Sequence, residues 1–455
     1  MIRKKIDLLS SNELPIIWLI IHAFFGILVA FLPILAKVWS VIPVVFGVYY
    51  VVKTKNSHNE AALFAAYYVG LEILLRMTGA TITWEFAKYF LIFIFIIGLT
   101  VERKYYQWEG WWIIVMIVLL IPGVLVTFSW SERVKIDILF NESGIMALSI
   151  SCWYFYKRPL TFSTLKRILS WMLLPLLSIC FYVFIKTPDY SNIVFSSNAN
   201  FDMTGGYGPN QIATALGTGW MIVLLYYFYG MKITPYKILD IALFAFLLFR
   251  ALFSFSRGGN YTAILSLIMF VIVNALYGNK RVISPRTLTN ITIFIIVSVL
   301  SVNVIDNITG GIFSNRFTGK TTTGEQMEDI TTGRLSVLKQ EINLFIDHPL
   351  GVGAGGSAAF RGEIYHDPNA THNEFGRLLS EHGIYGIIVI ALLLWMPIGQ
   401  FFKLNFVDNK AFLVLFFVLS VATMMHSAMR IALPAFFYGL SYIYLYPPQD
   451  DSVHR

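Results

Sequence analysis

The sequence predicts an all-α polytopic membrane protein, with 12–14 transmembrane helices and a large, partly helical extracytoplasmic loop. Three observations predict it. Of 455 residues, 57% are hydrophobic and 13% charged, with a mean hydropathy of +0.67, far more apolar than a soluble domain of that length. Apolar runs near the length that spans a bilayer core recur from Leu14 to Tyr446. A single long polar connection, 306–382, interrupts them.

The runs are 14–36, 39–52, 61–77, 84–100, 111–129, 144–156, 167–186, 210–229, 237–256, 261–278, 287–305, 383–402, 411–427 and 431–447. The second and sixth are short, which sets the lower bound of twelve. The first follows "MIRKK" as a signal peptide would, but it is long, lacks a small-residue cleavage site and leads into further spans, so it is expected to stay as a helix. The chain is expected to divide into an N-terminal transmembrane bundle (1–305), an extracytoplasmic loop (306–382) and C-terminal transmembrane helices (383–455).

Lys and Arg fall at the N-terminus (Arg3, Lys4, Lys5) and then in alternate connections: Lys53 and Lys55, Arg103 and Lys104, Lys157 to Arg167, Lys232 and Lys237, Lys280 to Arg286, and Lys403 to Lys410. The positive-inside rule then puts both termini in the cytoplasm and the long loop outside. The net charge of +8 is thus a topology signal and implies no nucleic-acid partner. Cys152 and Cys180 lie in apolar runs without metal-ligand spacing, so neither a disulfide framework nor a metal site is expected.

Connections longer than about 15 residues are usually functional or disordered. Here "TTGRLSVLKQEINLFIDHPLG" carries Leu335, Leu338, Ile342, Phe345 and Ile346 at helical spacing, and "HPLGVGAGG" should end that helix. Arg334 stands at its start, where a cation opposes the helix dipole unless an anion is bound. The alternative is a surface arginine on a tolerant site. In "THNEFGRLLSEHGIYG", Thr371 and Glu374 match a capping box, with Phe375, Leu378 and Leu379 as the apolar face and Gly383 leading into the next span. That puts His372 in the first turn, where exposed amides keep an imidazole neutral and able to accept a proton. The plain reading is a polar interfacial helix with Glu374 explained by the cap and His382 as a solvated helix end; His372 and Glu381 are left less explained.

"FRALFSFSRGGN" closes the ninth run. Arg250 and Arg257, seven residues apart, fall on nearly one helical face with a rise of roughly 10 Å, Arg250 deeper in the apolar slab. Arg257 could also snorkel at a helix C-terminus, and Gly258 and Gly259 predict a tight re-entry. Glu72 and Arg76, spaced i, i+4, neutralise each other in the simplest reading. His22 reads as a hydrogen-bonded packing residue, His426 and Arg430 share one face near a helix end, and Asn210, in the turn "GGYGPNQ", is placed to line an outer cavity.

Taken in order, "SRGGNYTAIL", "TGRLSVLKQEINLFIDHPLGVGAGG" and "HNEFGRLLSEHGIYG" resemble the O-antigen ligase and O-antigen polymerase superfamily over about Gly205 to Ile388. The resemblance implies a many-helix bundle in the bacterial cytoplasmic (inner) membrane, with a periplasmic loop before the last spans. It implies transfer of a glycan from an undecaprenyl-diphosphate-linked donor to a lipid or glycan acceptor, with no cofactor and no required metal. By motif match it implies roles for Arg257, Arg334 and His372; Arg250 and Glu381 are additions from their own positions. Arginines would bind the diphosphate and stabilise its developing charge, and a neutral His372 would serve as general base. Attack opposite the leaving group predicts inversion at the sugar carbon. A polymerase acting on the same donor is the nearest alternative. A transporter or flippase is the other class: many spans with buried charge suit it, whereas no obvious inverted repeat is present and the polar residues gather toward one face.

Overall fold

The computed structural model describes residues 14–102, 110–127, 132–187, 195, 199–279, 282, 284–369 and 371–446. The basic residues Arg3, Lys4, Lys5, Arg103, Lys104 and Lys280 lie outside the described residues. Among those described, the chain is an all-α membrane bundle of helices α1 (Ile16–Phe31), α2 (Ile34–Thr54), α3 (Glu60–Met77), α4 (Phe86–Glu102), α5 (Trp111–Leu125), α6 (Glu132–Phe155), α7 (Phe162–Lys186), α8 (Pro209–Phe228), α9 (Lys237–Phe253), α10 (Arg257–Leu276), α11 (Pro285–Ile308), α12 (Ile312–Phe317), α13 (Arg334–Asp347), α14 (Ser357–Tyr365), α15 (Glu374–Lys403), α16 (Val407–Ser427) and α17 (Leu433–Leu440). By length and composition, seven of these (α2, α7, α8, α10, α11, α15, α16) can each cross a membrane.

Burial sorts the spans into layers. In α7 and α8, 83% and 89% of the most apolar window is buried, so they form the centre; in α2 and α11 the figures are 28% and 17%, so these helices form the rim. Rim side chains such as Phe24, Phe46, Ile96, Ile295, Val299 and Trp395 point outward, as lipid rather than water requires. Both cysteines are buried free thiols. His22 is a packing residue: Nδ1 lies 2.8 Å from the Trp18 carbonyl and Nε2 2.9 Å from the Tyr67 hydroxyl.

Two expected spans differ from the structure. The run 431–447 holds only the eight-residue α17, followed by a two-residue strand, β2 (Tyr444–Leu445), paired in parallel with β1 (Pro159–Leu160). Every α17 residue is buried by protein; hydropathy does not distinguish that from burial in lipid. The run 383–402 is the lower part of α15, which starts at Glu374 and breaks at Gly383 (φ 56°, ψ −131°). The break exposes carbonyls that the loop after α13 satisfies. Val352 N–H donates to Ser380 O (2.9 Å), Gly353 N–H to Glu381 O (3.1 Å), and Ile384 N–H to Pro349 O (2.9 Å). The predicted stop "HPLGVG" thus docks on the broken helix like a short strand.

Polar contacts define two ends of the bundle. At one, Arg158 bonds Glu102 and Asn59, Tyr229 and Asn279 both donate to Asp408, Lys410 lies over the Tyr277 ring, and β1 meets β2. The connections with Lys53, Lys157, Lys232 and Lys403 belong to this end. At the other, Arg76 pairs with Glu72 (2.6 Å) and reaches Glu85 (3.4 Å), and the Arg76 guanidinium donates to the Arg430 carbonyl (2.7 Å). The Glu72–Arg76 neutralisation expected from spacing is therefore present, and Lys88 extends it through Glu85 (2.6 Å). The loop from Thr309 to Asn373 sits on this second end.

Candidate functional site

Three helix N-termini meet at the loop-covered end. The residues before α10 show why. Phe255, at φ 57°, breaks the chain between α9 and α10, so Arg250 and Arg257 lie on two helices and not on one face of one helix. Gly258 and Gly259 are inside α10 rather than in a re-entrant turn. A Cβ on Gly258 would collide with the His426 ring, and one on Gly259 would collide with the backbone of Ala213 and Thr214. The glycine pair lets α10 press against α8 and α16. His426 pins the same junction, with Nδ1 2.8 Å from the Ala422 carbonyl and Nε2 3.1 Å from the Thr214 hydroxyl.

That packing aims Arg257, the first residue of α10, into a cavity of about 280 Å³ shared with Asn210, Arg316, Arg334, Glu341, His372 and His426. Arg257 donates to the carbonyls of Arg316 (3.3 Å) and Ile330. Arg334 opens α13. Asp329 accepts from Thr331 N–H (2.7 Å) and Gly333 N–H (2.6 Å), and the Thr331 hydroxyl accepts from Leu335 N–H (3.3 Å), which folds "DITTGR" into the turn that starts the helix. The Arg334 guanidinium makes no hydrogen bond or ion pair among the described residues. Arg316, missed in the sequence because nothing in "FSNRF" marks it, is buried, and its Nη1 has no partner among the described residues.

The electrostatics are those of an anion seat. Burial, Arg257 and Arg334 push the Arg316 guanidinium down to about 10. Burial and then Arg257 lower Arg334; burial and then Arg334 push Arg430 down to about 10. The N-terminal amides of α8, α10 and α13 add partial positive charge to the same space.

His372 is held differently from expectation. Asn373, not Thr371, caps α15, its Oδ1 accepting from Phe375 N–H (3.0 Å) and Gly376 N–H (3.5 Å). His372 therefore precedes the cap and lies outside the first turn. Its carbonyl accepts from Ala428 N–H (3.0 Å), while Arg430 donates to the Thr371 carbonyl (2.9 Å), so the 428–430 turn fixes the "THN" backbone. The imidazole is neutral as expected, but for another reason: burial first, then Arg430, Arg334 and His426, push it from its ordinary 6.5 to about 3. Its Nδ1 is buried without a partner among the described residues.

Glu374 likewise is not a capping-box partner. It pairs with Arg377 and accepts from Met429 N–H (3.2 Å). Glu381, a sequence candidate, lies outside the arginine-lined cavity. Arg377 (3.0 Å) and Asn141 (3.0 Å) hold it beside a second cavity of about 230 Å³. His382 is fully buried 3.1 Å from Glu142, not a solvated helix end, because the break at Gly383 keeps the chain inside the bundle. Glu142, Glu381 and His382 could together approach a metal ion, but Arg377 already neutralises Glu381 and the His382 Nδ1 faces Gly123. Arg250 is buried apart from both cavities, donating to the Thr187 hydroxyl (2.5 Å) and the Met203 carbonyl (3.1 Å).

The structure therefore brings Arg257, Arg334, His372 and Asn210 together, and Arg250 and Glu381 elsewhere. Asn210 accepts from the Ser256 hydroxyl (2.7 Å) at the cavity wall. Besides Arg316, sequence reasoning passed over Glu341, although it follows Arg334 by seven residues and so shares its helical face.

Residues 242–391 match the family described as O-antigen ligase, a match that supports membership of the O-antigen ligase superfamily and a glycosyltransferase-like activity. No curated protein matches the chain.

Proposed function

We propose that this member of the O-antigen ligase superfamily is a glycosyltransferase that moves a glycan from undecaprenyl diphosphate to an acceptor hydroxyl on a lipid A core or related molecule. The observation that carries the reading is the convergence of Arg257, Arg316 and Arg334 with three helix N-termini on one cavity that also holds a neutral histidine. Mutually repelling guanidiniums, Arg316 buried and Arg257 and Arg334 half-buried, favour an anion of high charge density, and the oxygens of a diphosphate suit bidentate pairing with them.

In the transfer, the acceptor oxygen bonds to the anomeric carbon while the carbon–oxygen bond to phosphate breaks, and its electron pair leaves on the lipid diphosphate. Charge grows on the phosphate oxygens, where prearranged arginines stabilise the transition state more than the ground state. His372 accepts a hydrogen bond from the attacking hydroxyl and orients it opposite the leaving group, which inverts the sugar carbon. The cavity end faces away from the cytoplasm of a bacterial inner membrane, since the lysine-bearing connections gather at the other end and the positive-inside rule assigns that end to the cytoplasm. The polyprenyl chain lies among the lipid-facing side chains of the bundle.

The test is glycan transfer by purified protein in lipid, supplied with undecaprenyl-diphosphate glycan and candidate acceptors. Arg257→Ala and His372→Ala should each lower transfer by at least about tenfold, whereas a change at Lys320, whose side chain does not line the cavity, should not. Normal transfer by both variants would sink the mechanism. A ladder of growing lipid-linked products in place of a single transfer would make the protein a polymerase.

A further inference from the structure

We propose that Glu341 is the general base of this transfer: its carboxylate, buried between α13 and α15 at the floor of the arginine-lined cavity, takes the proton of the acceptor hydroxyl. The inference rests on the transferase reading above and adds a residue and a role to it.

Three features of the geometry point to it. Glu341 lies two helical turns below Arg334 on the face that presents Val337 and Leu338 to the cavity. It is fully buried and makes no ion pair among the described residues, and the Thr371 hydroxyl is the hydrogen-bonding group beside it. The neighbouring carboxylates differ: Glu374 and Glu381 are both ion-paired with Arg377. Gly376 on α15 leaves room for the group, since a Cβ there would collide with Glu341 Oε2. A buried carboxylate without an ion pair is costly to a fold, and one kept at the edge of a cavity has lone pairs to offer a ligand.

Its surroundings set its proton affinity. Burial dominates and favours the neutral acid; the Thr371 hydroxyl and the Arg361 guanidinium oppose that, Glu381 reinforces it, and Arg377 opposes it. The balance pushes the carboxyl up to about 7. A base works best when its conjugate acid titrates near the working pH. His372, held well below its ordinary value by burial and then by Arg430, Arg334 and His426, is neutral and can accept a hydrogen bond from the hydroxyl. The two groups therefore act in sequence. His372 aligns the hydroxyl, and Glu341 receives the proton as the new glycosidic bond forms and the lipid diphosphate departs. The acid then returns its proton to water as product leaves.

The experiment is the pH dependence of glycan transfer at saturating undecaprenyl-diphosphate glycan, for the parent, Glu341→Gln and Glu341→Asp. The parent rate should fall about tenfold per pH unit below about 7, as a base of that affinity requires. Glu341→Gln should be slower by roughly 10²- to 10⁴-fold, with a flat profile and a donor KM within a few-fold of the parent. Glu341→Asp should retain an acid limb at a displaced pH, and it decides the matter if the glutamine variant does not fold. A glutamine variant within about threefold of the parent, or an acid limb unmoved by either change, overturns the assignment while leaving the transferase reading intact. A parent that transfers no glycan overturns both.

Discussion

Replacing Arg334 with alanine separates function from stability, because the guanidinium makes no hydrogen bond or ion pair with the rest of the described protein. Its electrostatic neighbours are other cations: Arg257 lowers its proton affinity, and it in turn lowers those of Arg316, Arg430 and His372. Removing it relieves repulsion without leaving a buried partner unpaired, so the thermal midpoint of Arg334→Ala should equal or exceed that of the parent. Transfer should suffer instead. A charge-assisted hydrogen bond contributes about 1.5–3 kcal/mol. Loss of one or two such bonds to a diphosphate, about 2–4 kcal/mol in all, lowers kcat/KM by roughly 30- to 1,000-fold. Arg334→Lys, which keeps the charge but not the planar fork, should recover part of that. The assay pairs glycan transfer with thermal unfolding of the same lipid-reconstituted samples. Transfer within about twofold of the parent, or unfolding at a markedly lower temperature, would refute the claim that Arg334 is held for a ligand and not for the fold.

Three further outcomes follow from the geometry. Asn373→Ala removes the cap that fixes the start of α15 and should destabilise by about 1 kcal/mol, yet reduce transfer much more because His372 adjoins it; Asn373→Ser should restore both when unfolding and transfer are measured together. Gly383→Ala drives a Cβ into the Pro349 carbonyl oxygen at a backbone conformation that only glycine adopts readily, so folded protein recovered from membranes should be lost, as size-exclusion profiles would register. Glu341 links stability to pH. Its folded carboxyl titrates near 7 against an ordinary 4.5, so the folded state binds the proton more tightly and stability falls as pH rises from about 4.5 to 7. Glu341→Gln abolishes that loss. Its stability relative to the parent should grow between about pH 5 and pH 8 by on the order of 3 kcal/mol, read as a widening gap in thermal midpoints; a constant gap would mean that the carboxyl titrates normally.

Much of the architecture was legible in the sequence because it depends on local quantities. Thirteen of the fourteen apolar runs correspond to helices of fifteen residues or more, and the helical spacing of Leu335 to Ile346 matches α13. Arg257 and Arg334 stood out too, since each lies in a distinctive short motif. Boundaries that depend on competing local partners were less legible. Thr371 and Asn373 are both plausible caps in "THNE", and the choice falls to Asn373 because the 428–430 turn takes the backbone of residues 371 and 372.

What the sequence by itself determined was a bundle of apolar helices and a polar loop on one end that carries arginines and histidines, since helix period, hydropathy and charge alternation act over a few turns of chain. Tertiary structure decided which charges are spent on the fold and which are left for chemistry. Arg377 engages Glu374 and Glu381, the chain break at Phe255 separates Arg250 from Arg257, and the glycines at 258, 259 and 376 let helices approach until Arg316 and Glu341 join Arg334 and His372 around one cavity. The physical reason is that burial and ion pairing are set by neighbours distant in the chain: the same arginine or glutamate is a packed ion pair or a reactive group according to what another helix places beside it.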